Sequence, residues 1–209
     1  MLIAEIGLAH DGSLGNALAF IDAVADAGAE AVKFQCHDGD PNTDPPASGV
    51  NIPQDSDRRA YWKRTAFGYR EWDRLRWQAQ SRNIQFGVTP FSIEALELVA
   101  PRCDFIKISR QHYASDLHRA ASDTGKRCVA TGGENRCGLG LNAYNPDFHL
   151  GISDHSATIW PCIRAAALGA EIFEVHVCWD RRAFGPDAQY SLTIDELATL
   201  AEGIKACLS

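Results

Sequence analysis

The chain has 209 residues, 45% hydrophobic and 22% charged, enough to bury a full core and most simply organised as one domain. A formal net charge of -7 argues against a nucleic-acid partner, because a phosphate backbone calls for a basic face. No run approaches the ~20 apolar residues that cross a bilayer, and the seven cysteines, an odd number, form no C-x-x-C pair, which argues against a zinc knuckle and a secreted disulfide framework.

In chain order, residues 2–7 read as a buried strand closed by glycine, and Ser13 is placed to cap a helix over 14–27 that Gly28 ends. Residues 31–35 form a second strand. The run 36–58, rich in Asp, Pro, Asn and Ser, is a loop of the length that is usually functional. Residues 61–81 interleave arginines with Trp62, Tyr69, Trp72 and Trp77. Their helical spacing and the acidity of the chain favour an amphipathic helix covering a sheet over a nucleic-acid surface. Strand 85–89, helix 93–99, strand 105–109, helix 115–123 and strand 127–131 follow. The rhythm breaks over 132–147, then returns as strand 148–153, helix 159–168, strand 172–177 and helix 193–206.

Seven strands and six crossover helices in βα order predict an α/β fold of the TIM (β/α)8 type. A full barrel takes ~250 residues, so this one is expected to be reduced, with its sixth strand and flanking helices missing or irregular. Residues 138–144 are expected to lie along the gap as an irregular segment, and a second subunit to cover the remaining edge, giving a homodimer. The N-terminus, Met1 to Glu5, lacks the basic flank of a signal peptide, so a cytoplasmic location is expected.

Strands covered on both faces should be almost wholly apolar, yet Glu5, Lys33, Lys107, Glu174 and His176 fall inside them. A buried charge without a partner costs several kcal/mol, so each requires a counter-ion or a ligand. One reading pairs Lys33 and Lys107 with Glu5 and Glu174 as internal salt bridges. The other builds an anion site from Lys33, Lys107, Thr89 and Ser153 beside a metal site at His155 and His176. Gly151-Ile152-Ser153-Asp154-His155-Ser156 and Ile172-Phe173-Glu174-Val175-His176 would be neighbouring parallel strands, bringing both imidazoles to the C-terminal rim where α/β barrels hold their sites. Two imidazoles with Asp154 between them can hold one divalent ion, and the coincidence of these groups favours the ligand reading.

Ile3-Ala4-Glu5-Ile6-Gly7, His10-Asp11-Gly12-Ser13, Ala31-Val32-Lys33-Phe34-Gln35, Thr89-Pro90-Phe91, Lys107-Ile108, Thr131-Gly132, the run 151–156, Glu174-Val175-His176 and Gly185-Pro186-Asp187 together resemble the sialic acid synthase family. The resemblance runs in order over nearly the whole chain. It implies a TIM-barrel enzyme that condenses phosphoenolpyruvate with a sugar-like aldehyde to a 2-keto acid and phosphate, using a divalent metal such as Mn or Mg. By the same resemblance His155 and His176 are metal ligands, and Lys33, Thr89, Lys107 and Ser153 hold the phosphate and carboxylate of phosphoenolpyruvate. Gln35 and Thr131, in the matched motifs, join them as substrate-binding positions. Glu5 and Asp187 face the reacting sugar and the metal-bound water, completing a catalytic set with the two histidines.

The chain also departs from that pattern. Ala9 replaces an Asn, and Ser109-Arg110-Gln111-His112 replaces a Ser-x-Glu whose acid contacts the sugar. The family's Asn and Tyr substrate contacts go with the sixth unit, Tyr144-Asn145-Pro146 being a remnant, and no antifreeze-like domain is read after the last helix. An acceptor other than N-acetylmannosamine, in a specialised biosynthetic pathway, is therefore expected. The alternatives are a metal-dependent aldolase or lyase without phosphoenolpyruvate, and a non-catalytic barrel that partners a synthase.

Overall fold

The computed structural model describes residues 1–37, 58–112, 114–131, 138–141 and 151–208. Its elements are β1 (Leu2–Gly7), α1 (Leu14–Asp26), β2 (Ala31–Cys36), α2 (Arg58–Thr65), α3 (Tyr69–Ser81), β3 (Gln85–Pro90), α4 (Ile93–Val99) and β4 (Phe105–Ile108). Then come α5 (Asp116–Asp123), β5 (Arg127–Thr131), β6 (Gly138–Leu141), β7 (Gly151–Asp154), α6 (Trp160–Ala167), β8 (Ile172–Cys178), β9 (Leu192–Thr193) and α7 (Ile194–Leu208). Three helices start where a serine precedes an apolar period. The Ser13, Ser92 and Ser115 hydroxyls accept from the backbone N–H groups of Asn16, Ala95 and His118, each such cap being worth ~1 kcal/mol.

Each strand pairs in parallel with the next, and β8 returns to β1 with Glu5 opposite His176, so β1 to β8 close into a barrel to which β9 adds two residues beside β8. The fold is the reduced TIM-like barrel the sequence predicts, but the expectation of seven strands is corrected. Gly138–Leu141 is a regular strand: Thr131 pairs with Leu139 on one side of it, and Leu141 with Ser153 on the other. Both barrel edges would otherwise carry unpaired N–H and C=O groups, which recruit any extended segment within reach. Among the described residues no helix stands between β5 and β7. With β6 paired on both sides, the open edge expected to call for a second subunit does not exist.

Two further expectations shift. The helix read over 61–81 is two helices, broken before Gly68, whose N–H donates to the Glu71 carboxylate at 3.1 Å as α3 begins. The loop read over 36–58 and the first residues of the strand read over 148–153 lie largely outside the described residues.

Alternation divides the strand residues between two cores. Outward, Ala4, Ile6, Phe34, Phe86, Ile106 and Val175 pack against the helices, with Phe20 of α1, Trp72 of α3 and Leu197 of α7. Inward, Ile3, Ala31, Phe105 and Val129 form a separate buried cluster inside the barrel. Phe105 needs the bare α-carbon of Gly87, where a Cβ would lie 2.1 Å from the phenyl Cζ. This apolar plug is a floor, so the barrel interior opens only above it.

Candidate active site

Two residues beyond the floor, the same alternation turns inward Glu5 after Ile3, Lys33 after Ala31, Lys107 after Phe105 and Glu174 after Ile172. All four are buried. Register places Glu5 beside Lys33, and Ser153 beside Glu174. Lys107 Nζ donates to both Glu174 oxygens at 2.7 and 2.9 Å, and Ser153 Oγ donates to Glu174 Oε1 at 3.1 Å. Lys33 Nζ forms an ion pair with Glu5 Oε2, donates to Thr89 Oγ1 at 2.7 Å, and lies 4.0 Å from Glu174. The internal salt bridges are therefore present, and the residues that make them line the candidate cavity as well.

That cavity, of about 160 Å³, is lined by Glu5, Lys33, Gln35, Thr89, Lys107, Ser153, His155 and His176, with Phe91, Ser109, Arg110 and Glu174. Eight of the ten predicted site residues thus meet on one wall system. Asp187 stands just outside it, its Oδ2 4.0 Å from His176 Nδ1. Gly7, at φ 56°, brings that carboxylate into the group: a Cβ there would lie 3.4 Å from Glu5 Oε1, 3.4 Å from Gln35 Nε2 and 3.6 Å from Asp187 Oδ2. A side chain at Gly7 would be strained and would fill the space between the three polar tips. Thr131 ends β5, and its side chain lies outside the described residues, as does Tyr144-Asn145-Pro146.

The His155 and His176 rings have centroids 4.9 Å apart. Burial lowers the proton affinity of both, His176 to about 4 against the pull of Asp187, so both are neutral imidazoles at neutral pH. Burial also pushes the Lys33 ammonium down to about 7 against the opposing field of Glu174. For Glu174, burial by itself would raise the carboxyl, but Lys107 and Lys33 reverse it and hold it at about 2. Asp154, expected between the histidines, is turned away: strand alternation puts it opposite Ser153 and His155, where it accepts from Ser156 N at 3.2 Å and Ser156 Oγ at 2.6 Å. Among the described residues no group of three or more His, Cys, Asp or Glu side chains forms a metal cluster.

Several neighbours escaped the sequence reading. His37 is stacked between Trp62 and Phe91, with centroids 4.7 and 4.0 Å away, and shares a 3.1 Å hydrogen bond with Gln35 Oε1, fixing that amide at the cavity wall. Ser109 Oγ and Glu5 Oε1 are buried without a hydrogen-bond partner among the described residues. The signal for Ser109 was its inward position two residues after Lys107. For His37 there was none, because the aromatic residues that clamp it come from different parts of the chain.

The NeuB family matches residues 20–137 and 141–208. Spore coat polysaccharide biosynthesis protein SpsE of Bacillus subtilis is 28% identical to this chain over 248 positions, covering 98% of this chain and 66% of SpsE. N,N'-diacetyllegionaminic acid synthase of Campylobacter jejuni is 24% identical, covering 98% of this chain and 75% of its own. Among solved structures, N-acetylneuraminic acid (sialic acid) synthetase of Leptospira borgpetersenii, in complex with citrate, superposes with a TM-score of 0.82 at 27% identity, covering 99% of this chain and 83% of that one. The chain thus spans about two thirds of the length of SpsE. The 248 matched positions exceed the 209 residues available, so SpsE carries residues inside the span that have no counterpart here. The family match is interrupted between 137 and 141, at β6, which puts the shortening at the sixth unit. Matched over most of its length, the chain belongs to the NeuB family.

Proposed function

We propose that this protein condenses phosphoenolpyruvate with a sugar-like aldehyde to give a 2-keto acid and inorganic phosphate. The observation that carries the reading is the layer of Lys33, Lys107, Thr89 and Ser153 held at one level above an apolar floor, beside two neutral histidines and a free carboxylate oxygen on Glu5. Structural ion pairs alone require neither the histidines nor an opening to solvent. In this scheme Lys33 and Lys107 hold the phosphate and carboxylate of phosphoenolpyruvate, and Thr89 and Ser153 donate hydrogen bonds to the same oxygens. Carbon 3 of the enol attacks the aldehyde carbonyl, water adds at carbon 2, and phosphate leaves with C–O cleavage. Glu5 Oε1 and Asp187 flank the space where the sugar hydroxyls and the water are handled, and Gln35, oriented by His37, is a further substrate contact.

The donor set fits a divalent ion held by His155 and His176, because both imidazoles are neutral and adjacent, with Asp187 close by. Bound there, Mn or Mg would supply Lewis-acid polarisation of the aldehyde carbonyl. Metal content should fall in His155→Ala and His176→Ala, and unchanged content in both would remove the site. A homodimer is proposed on new ground: β6 has no covering helix of its own among the described residues. Light scattering that gives a monomer at micromolar protein would exclude it. No helix among the described residues is long and apolar enough to cross a membrane, which agrees with the proposed cytoplasmic setting.

The function is tested by phosphate release from phosphoenolpyruvate over a panel of aldoses with Mn present. Release that depends on one aldose, together with a 2-keto acid containing all its carbons plus three, supports the reading. Aldol products formed without phosphoenolpyruvate would replace it with the aldolase reading, and no product with any aldose would leave the non-catalytic barrel.

A further inference from the structure

The two histidines proposed for the divalent ion, and the Asp187 carboxylate beside them, are held in different ways. His176 belongs to β8 and is fixed by a buried strand. His155 and Asp187 lie beyond the strand ends, on turns whose shape other contacts must set. The turn after β7 puts Ala157 at φ 57°, a left-handed backbone that a residue with a Cβ keeps only where its surroundings hold it. Arg181 reaches this turn from the segment after β8: its Nη2 donates to Ala157 O at 2.9 Å, and its Nε donates to Ser191 O at 3.0 Å. Ser191 Oγ in turn donates to Asp187 O at 2.7 Å. Arg181 Nη2 also pairs with Glu196 at the start of α7, whose carboxylate accepts from Thr193 N at 2.8 Å. One guanidinium thus ties the turn of His155 to the turn of Asp187 and anchors both to a helix. Arg182, the next residue, does none of this: its side chain is 90% exposed and folds back on Asp180 at 2.6 Å.

We propose that Arg181 is a positioning residue for the divalent-ion site, setting the separation of His155 and Asp187 by bonding the backbone carbonyls of the two turns that carry them. The inference rests on the reading of His155 and His176 as metal ligands. The physical reason is the shape of the guanidinium: its planar fork serves two carbonyls and a carboxylate in different directions, which a lysine ammonium on a flexible stem does not reproduce. The sign of the effect separates this role from a simple charge effect. A cation near a divalent ion repels it, so removing the charge of Arg181 would by Coulomb's law alone strengthen metal binding. Loss of positioning weakens it, as when the outer partners of metal ligands are removed.

Calorimetric titration of Mn into the metal-free full chain tests it, in wild type, Arg181→Met, Arg181→Lys and Arg182→Met, with the thermal unfolding of each protein measured alongside. Mn binding should weaken roughly tenfold to a hundredfold in Arg181→Met. Arg181→Lys, which keeps the charge and loses the fork, should fall between, and Arg182→Met, with the same change in net charge, should stay within about twofold of wild type. Methylguanidine added to Arg181→Ala should recover part of the lost Mn affinity. A residue that only stabilises the fold would lower the unfolding midpoint and leave the Mn affinity of the folded protein unchanged. If Arg181→Met fails to fold, Arg181→Lys carries the same comparison at smaller amplitude. Unchanged or tighter Mn binding in the Arg181 variants, an equal loss in Arg182→Met, or no Mn binding to wild type overturns the proposal. Condensation by wild type, with unchanged Mn affinity in Arg181→Met, would defeat this inference and leave the proposed function standing. Weakened Mn binding in that variant, with no product from any aldose in wild type, would do the reverse.

Discussion

The two levels of the barrel interior are built from the same strands, two residues apart, and obey opposite rules. The floor of Ile3, Ala31, Phe105 and Val129 is apolar, with Gly87 making room for Phe105. The level above it holds two lysines and two glutamates in near-complete burial. Replacing a buried ion pair by apolar residues of similar volume is often neutral or stabilising, so stability alone gives no reason for the upper level. The floor holds the fold together and closes the barrel below; the upper level spends some of that stability on a charged surface open to a ligand.

The largest effects should come from separating those roles. Lys107→Met leaves the Glu174 carboxylate buried beside a hydrocarbon stem and should cost roughly 3–5 kcal/mol in urea unfolding, together with phosphoenolpyruvate binding. Phe105→Ala in the floor should cost about as much, roughly 3–5 kcal/mol, through the cavity it opens. The ligand affinity of the surviving folded protein should stay near wild type. If Phe105→Ala abolished binding while Lys107→Met left it intact, the assignment of the two levels would be reversed.

A smaller effect is set by pH away from the cavity. His10 is buried against Phe67, with centroids 4.4 Å apart, and its Nδ1 accepts from Gly12 N at 3.1 Å. Burial lowers its proton affinity to about 4. The folded-state value lies below the unfolded one near 6.5, so the unfolded chain binds the extra proton first. Stability is lost as pH falls from 6.5 through about 4, by up to about 3 kcal/mol. His10→Phe should flatten that part of the stability profile, and a profile of unchanged slope would show that His10 does not carry it. Smallest, Ser92→Ala should remove the α4 cap and cost about 1 kcal/mol with no change in ligand binding.

Much of this architecture was legible because the relevant signals are local. Short, almost wholly apolar runs marked β1 to β5 and β8, and Ser13 marked the start of α1. The charged exceptions inside those runs marked the cavity wall before any contact was known. Other features depend on what the rest of the chain supplies. Gly-Leu-Gly-Leu is too short, and half glycine, to signal a strand, and it becomes β6 because two open edges flank it. Asp154 looked like a metal ligand by adjacency, yet alternation sends it to the other face. Arg110 registered only as a departure from a motif. The structure places it on the cavity lining.

The central claim is that the charged level exists for a ligand, and thermal unfolding of wild type and Lys107→Met/Glu174→Leu, each with and without phosphoenolpyruvate, tests it most directly. The account predicts that the apolar pair leaves the unliganded protein at least as stable as wild type, while phosphoenolpyruvate raises the midpoint of wild type alone. Protection of both proteins to the same extent, or of neither, would contradict it.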